Sequence, residues 1–164
     1  MRSKQTNLGE LITKAMAYSY DNIVDGALLN GGSMRLDDML AGNITGVDIF
    51  RVLPFGGSVL KVKIKGSLLK KVLDYGRIKS GSGAYLQRFN FEYDKKSKLW
   101  FCSGNPIDDN KIYNVAFSDY LLKGYDIPFL NTKNKDVINI YNPKEDEMAF
   151  DIRMAIISYL KSMK

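Results

Sequence analysis

Residues 58–76 read SVLKVKIKGSLLKKVLDYG, and a change of rhythm inside them decides the fold. From Ser58 to Lys65 polarity alternates. Leu60, Val62 and Ile64 face one way and Lys61, Lys63 and Lys65 the other, the period-two pattern of a half-buried strand. From Ser67 the segment SLLKKVLDYG reads as a helix, with Gly76 as its stop. A strand that runs straight into a helix points away from an all-β chain, and the flanking segments decide what surrounds the pair.

Upstream, Thr45 caps a short predicted helix, GVDIFRV, which Pro54 does not continue. Gly42-Asn43 reads as a loop, Leu36 to Leu40 as a helical turn, and GALLN, residues 26–30, as a short buried strand. Thr6 precedes NLGELITKAMAYSY, where Leu8, Leu11, Ile12, Ala15 and Met16 recur at helical spacing, so a helix is predicted to end near Asp21. Downstream, SGSG (80–83) is a loop, AYLQRFNFEYD one alternating strand, and KKSK a turn into LWFCSG. KIYNVAFS is a further strand, SDYLLKGYDIPFL is turn-like, DVINIY is a last strand, and MAFDIRMAIISYLKS closes the chain as a helix. Some strands meet in hairpins and others are separated by helices. The fold class expected is α+β (mixed α/β): one domain over residues 1–164, a mixed sheet with packed helices.

Composition removes several chemistries. The 164 residues contain no histidine and one cysteine, Cys102, so a Ser-His-Asp triad, a Cys-His pair, a His/Cys zinc site and internal disulfides are all excluded. Cys102 lies in an apolar run and reads as a buried, inert thiol. No catalytic residue is assigned. The net charge of +6 suits an anionic partner, but the positive residues are dispersed and form no block of the nucleic-acid-binding kind. No apolar run approaches a membrane span, and no signal peptide is read at the start of the chain.

Candidate binding residues sit in three loops. ALLNGGSMR, residues 27–35, ends a strand in Asn30-Gly31-Gly32 and places Arg35 just beyond. Taken alone this is either a tight turn, since Asn and Gly tolerate positive φ, or a backbone that passes close to a ligand with Arg35 meeting an anion. LPFGG, residues 53–57, offers Phe55 either as a staple into the core or as a face for a stacked base. In SDYLLKGYD, Tyr120, Tyr125 and Asp126 are either turn residues or groups for a ring and for sugar hydroxyls. The pairs Asp37-Asp38 and Asp108-Asp109 read as helix-start or turn residues rather than a metal site.

Together these pieces resemble the C-terminal domain of the 5′-nucleotidases over nearly the whole chain. The matching text, in order, is NGGSMR, GNIT, LPFGG, VLKVKIKGSLLKKVLD and AYLQ. The resemblance implies a nucleotide-recognition domain whose hydrolytic partner, a metallophosphatase domain carrying divalent metal ions, lies elsewhere in a longer protein or on another chain. It implies that Asn30 and Asp126 meet the ribose, Arg35 and Arg2 the phosphate, and that Gly32 lets the backbone approach. Phe55 and Tyr120 would form the two sides of a clamp on the base. The partner expected is a nucleoside monophosphate or a related nucleotide, not a nucleic acid, and the setting expected by resemblance is extracytoplasmic.

Three positions depart from the family pattern. Tyr125 stands where a second glycine is usual, QRFN (87–90) replaces a longer glycine-containing loop that shapes the base pocket, and Lys14 stands where Asp is common. A rival expectation follows: a non-catalytic protein-interaction domain in which Tyr125 and the shortened loop close a degenerate pocket. Arg2 lies close to the start of the chain, where disorder is common.

Overall fold

The structure, a computed structural model, describes residues 1–36 and 42–163. The helical turn expected over 36–40 and the Asp37-Asp38 pair therefore lie largely outside the described residues. Among the described residues there are eight strands: β1 Gly26–Asn30, β2 Val59–Lys65, β3 Leu86–Phe89, β4 Phe91–Asp94, β5 Leu99–Cys102, β6 Asn105–Pro106, β7 Ile112–Ser118 and β8 Val137–Tyr141. The helices are α1 Asn7–Tyr18, α2 Gly46–Val52, α3 Gly66–Ile78 and α4 Ile152–Ser162. Five strands form the central sheet in the order β3-β1-β7-β2-β8, and β4-β5-β6 form a small antiparallel sheet. The pair β1–β7 is parallel and the other central pairs are antiparallel, so the sheet is mixed, as the sequence indicates.

Side chains alternate across the central sheet and split the core in two. Leu28, Leu60, Val62, Ile64, Val115 and Phe117 point to one face, where α3 and the small sheet cover them. Ala27, Leu29, Val59 and Ala116 point to the other face, beneath α1, α2 and α4. Burying each larger apolar side chain contributes about 1.5–3 kcal/mol, so a slip of one residue in any central strand would be strongly opposed. Lys61 does not simply solvate a face. Its ammonium lies 4.9 Å from the Tyr20 ring centroid and 5.2 Å from that of Tyr141.

Local chemistry explains most boundaries. Thr6 Oγ1 accepts from the Gly9 N–H at 3.0 Å to start α1. Thr45 and Asp48 form a reciprocal capping box on α2. Several expectations are corrected. α1 ends at Tyr18, short of Asp21, because Asp21 and Asn22 adopt left-handed φ of 51° and 57°. Gly76 does not stop α3; it lies inside the helix because a Cβ there would collide with the Leu86 side chain. The segment 84–94 is not one strand: Asn90, at φ 63°, breaks it so that β3 joins the central sheet and β4 the small one. The last helix begins at Ile152, after a separate 3-10 turn over Met148–Phe150.

Candidate functional site

Parallel strands leave their carboxyl ends side by side, and ligands of mixed α/β sheets gather there. Here β1 ends at Asn30 and β7 at Ser118, with Leu28 opposite Phe117 in register. A cavity of about 530 Å³ opens at these two strand ends. Arg2, Asn30, Gly32, Arg35, Phe55, Tyr120 and Asp126, the residues singled out from the sequence, all line it.

The Asn30-Gly31-Gly32 segment is not the positive-φ turn that its composition suggests. It leads into a 3-10 turn over Gly31–Ser33, and neither glycine has positive φ. The glycines are there for space. A Cβ on Gly31 would lie 2.9 Å from Met1 O, and one on Gly32 would lie 3.2 Å from Gly83 Cα. Their N–H groups donate to Tyr85 O and Gly83 O. The backbone is thus closed on one side by protein, while Gly32 also faces the cavity.

Asn30 is paired within the site through both ends of its amide. Its Nδ2 donates to Asp126 Oδ2 at 2.8 Å, and its Oδ1 accepts from Ser33 Oγ at 2.6 Å. Asp126 is half-buried and fixed by this bond, so it is not a free turn carboxylate.

The backbone on either side of Arg2 is held by Gln87, a residue that the family pattern assigns to a shortened base loop. Gln87 lies in β3, fully buried, and is not a wall of the cavity. Its amide donates to Met1 O and Lys4 O, both at 2.7 Å, and accepts from the Thr6 N–H at 2.9 Å. The Gly81 N–H donates to Arg2 O at 2.8 Å. These bonds hold the backbone at the start of the chain against the sheet. Gly9 leaves room for Gln87, since a Cβ there would overlap the Gln87 amide.

Phe55 is no core staple; it is 72% exposed at the cavity rim. Its loop turns through left-handed Gly56 (φ 60°) and Gly57 (φ 98°), a conformation that favours glycine. The Ile152 N–H donates to Gly57 O at 2.9 Å, and the Arg153 guanidinium packs on Gly56 and lies 4.4 Å from the Phe50 ring centroid. Arg153 Nη2 and Asp151 Oδ2 are 2.6 Å apart. Burial opposes the charge of Asp151, but hydrogen bonds from the Arg153 side chain and backbone outweigh it and hold the carboxyl below its ordinary value. The Arg35 guanidinium carbon lies 5.4 Å from the Phe55 centroid, so cation and ring share one wall.

Tyr120 belongs to a 3-10 turn over Asp119–Leu122. Burial first, then the nearby Asp126 and Tyr125, push its phenol above the ordinary value, and the ring stays neutral at physiological pH. Tyr125 does not close the site. It is 73% exposed, is not a lining residue, and packs its ring 5.9 Å from that of Tyr120 at 50°. The closed pocket expected of a degenerate domain is therefore absent among the described residues.

Ser33, Ser118, Asp119 and Lys123 also line the cavity and were missed from the sequence. The only available signal was their place beside the Asn-Gly-Gly motif or around Tyr120. Asp108-Asp109 is no site: Asp109 pairs with Lys70 at 2.7 Å and Asp108 accepts from the Asn110 N–H. Cys102 is buried, and burial first, then Asp25, push its thiol upward. Among the described residues no group of three or more acidic, Cys or His side chains is arranged to hold a metal ion, and no helix is long and apolar enough to cross a membrane. The cavity offers aromatic faces, amide and carboxylate groups, and cationic side chains.

Comparison with known proteins identifies the family of the chain. The sequence model of the family described as 5′-nucleotidase, C-terminal domain, matches residues 1–132. A 5′-nucleotidase of Rattus norvegicus is 31% identical over 153 residues, covering 76% of this chain and 27% of that protein. Protein UshA of Escherichia coli (strain K12) is 34% identical over 142 residues, covering 81% of this chain and 24% of UshA. The crystal structure of a 5′-nucleotidase precursor from Thermus thermophilus superposes with a TM-score of 0.75 at 25% identity, over 99% of this chain and 34% of that one. The chain spans about a quarter of the length of these curated relatives. It belongs to the 5′-nucleotidase C-terminal domain family.

Proposed function

We propose that this member of the 5′-nucleotidase C-terminal domain family recognises a nucleotide, a nucleoside monophosphate or a related compound, in the cavity at the ends of β1 and β7. Phe55 and Tyr120 grip the base, Asn30 and Asp126 meet the ribose, Gly32 admits the close approach, and Arg35 with Arg2 attract the phosphate. The observation that supports this reading is convergence. Residues drawn from four separate segments of the chain line one cavity, with rings at its rim and charged groups in its walls. Hydrolysis is assigned, on the family resemblance, to a metallophosphatase domain or chain that carries the divalent metal ions. An extracytoplasmic setting goes with this assignment.

Calorimetric titration with AMP tests the proposal on the chain itself and on Phe55→Ala and Asp126→Ala. Saturable binding that weakens in both variants is the expected result, and equal weak heats in all three remove the pocket. A phosphatase assay of this chain with Mn²⁺ or Zn²⁺ is expected to be blank, and robust turnover would contradict the separate catalytic partner.

A further inference from the structure

Strands β2 and β7 run antiparallel with Val59 opposite Ser118, and their ladder ends in one last bond, from the Asp119 N–H to Ser58 O at 3.0 Å. Beyond it the two chains part. One leads back through Gly57 and Gly56 to Phe55, and the other passes directly into Tyr120. Both rings line the cavity, and Asp119 lies at the root of the fork between the loops that carry them. A Cβ on Gly57 would lie 2.6 Å from Asp119 Oδ1, so this carboxylate reaches from one loop across to the other.

The carboxylate is open to a ligand. Asp119 lines the cavity with its side chain 33% exposed. Asp126, the other cavity carboxylate, accepts from Asn30 Nδ2 at 2.8 Å, whereas the Lys123 ammonium approaches Asp119 Oδ2 only to 4.0 Å, beyond hydrogen-bond reach. Lys123 also lines the cavity, and its ammonium lies 6.0 Å from the Tyr120 ring centroid. The root of the slot therefore offers two acceptor oxygens with a cationic donor beside them. A base stacked between Phe55 and Tyr120 turns one edge to that root. A carboxylate accepts from two adjacent N–H groups, and an ammonium donates to a neighbouring carbonyl. Guanine carries that set on a single edge, as N2–H, N1–H and O6. Adenine has one amino group beside the bare lone pair of N1, which a carboxylate repels.

We propose that Asp119 and Lys123 are specificity-determining residues that bind the hydrogen-bonding edge of the base and select guanine over adenine. This rests on the nucleotide reading above and names the substrate class within it. Calorimetric titrations with GMP, AMP and xanthosine monophosphate test it on the unsubstituted chain, on Asp119→Asn and on Lys123→Ala. Xanthine keeps N1–H but has a carbonyl where guanine has its amino group. The unsubstituted chain should bind GMP about 10-fold or more tightly than AMP, and xanthosine monophosphate poorly. In Asp119→Asn the side-chain amide accepts at one end and donates at the other. GMP should then weaken about 10-fold and xanthosine monophosphate should bind more tightly than before, a gain that damaged folding does not produce. Lys123→Ala should lower the GMP-to-AMP ratio about 3-fold, and an unchanged ratio would overturn the part given to Lys123. Equal affinities for GMP and AMP in the unsubstituted chain, or tighter binding of AMP, would overturn the proposal. So would a ratio of GMP to xanthosine monophosphate that Asp119→Asn leaves unchanged, or failure of that variant to fold, because the carboxylate would then hold the turn rather than a base. If the unsubstituted chain binds none of the three, the nucleotide reading falls and this inference with it. If it binds them without discrimination, this inference alone falls.

Discussion

At the end of the central sheet where β7 begins and β2 runs into α3, polar groups are closed against one another. The Asp25 N–H donates to Asn114 O, and the Asn114 N–H returns to Asp25 Oδ2, both at 2.7 Å. Gly66 donates to Lys111 O at 2.8 Å, Ser67 donates to Asp109 O at 3.0 Å, and Tyr113 OH accepts from the Asp108 N–H at 2.9 Å. Packing is so tight that a Cβ on Gly66 would overlap Asp108 O. At the opposite end, β1 and β7 stop at a cavity. Rings lie exposed on its rim, Arg35 is exposed beside Phe55, and the Ser118 hydroxyl has no partner among the described residues. The first end turns its polar groups on itself and fixes the fold. The second leaves groups open, and a fold can tolerate that only because the first end and the two-faced core supply the stability.

If this division holds, substitutions at the two ends should separate stability from binding. The largest effect is expected at the closed end. Gly66→Ala places a Cβ against backbone, which cannot rotate away, and should lower unfolding free energy by about 3 kcal/mol or more in urea titrations. A nearly unchanged midpoint would break the comparison. Next, Phe55→Ala at the open end should weaken AMP binding about 5–100-fold, the worth of one base–aromatic contact, while leaving the urea midpoint in place. A large loss of stability instead would mean that Phe55 is a packing residue after all.

Arg35→Ala should weaken AMP about 10-fold and adenosine little, since only the former carries the anion that a guanidinium bonds. Equal losses for both ligands would move Arg35 away from the phosphate. The smallest effect expected is on pH. Asp151 is held below its ordinary value in the folded protein. Its contribution is therefore complete above the unfolded-state value and is lost as pH falls through the lower folded value. Between about pH 5 and pH 2 the thermal midpoint of the unsubstituted chain should fall more than that of Asp151→Asn. Parallel curves would show that the Asp151–Arg153 pair adds nothing to the hold on the Phe55 loop.

Patterns carried by neighbouring residues were legible in the sequence. GALLN as a buried strand, Thr45 as the cap of GVDIFRV, and the alternation of Leu60, Val62 and Ile64 all appear in the structure. The candidate residues Asn30, Arg35, Phe55, Tyr120 and Asp126, singled out by the family resemblance, share one cavity. What failed were readings that gave a residue a local purpose when a distant partner set it. Gly76 answers to Leu86, Gly31 to Met1 and Gln87 to the first residues of the chain.

The sequence by itself determined the element types and their mixed order, because periodicity, caps and turn residues act within a few positions of one another. Only the tertiary structure decided that Gln87 ties down Met1 and Lys4, that Tyr125 stays outside the cavity, and that the Ser118 hydroxyl has no partner among the described residues. Each of these depends on which backbone passes within a few ångströms across segments far apart in the chain, and no local pattern encodes that distance.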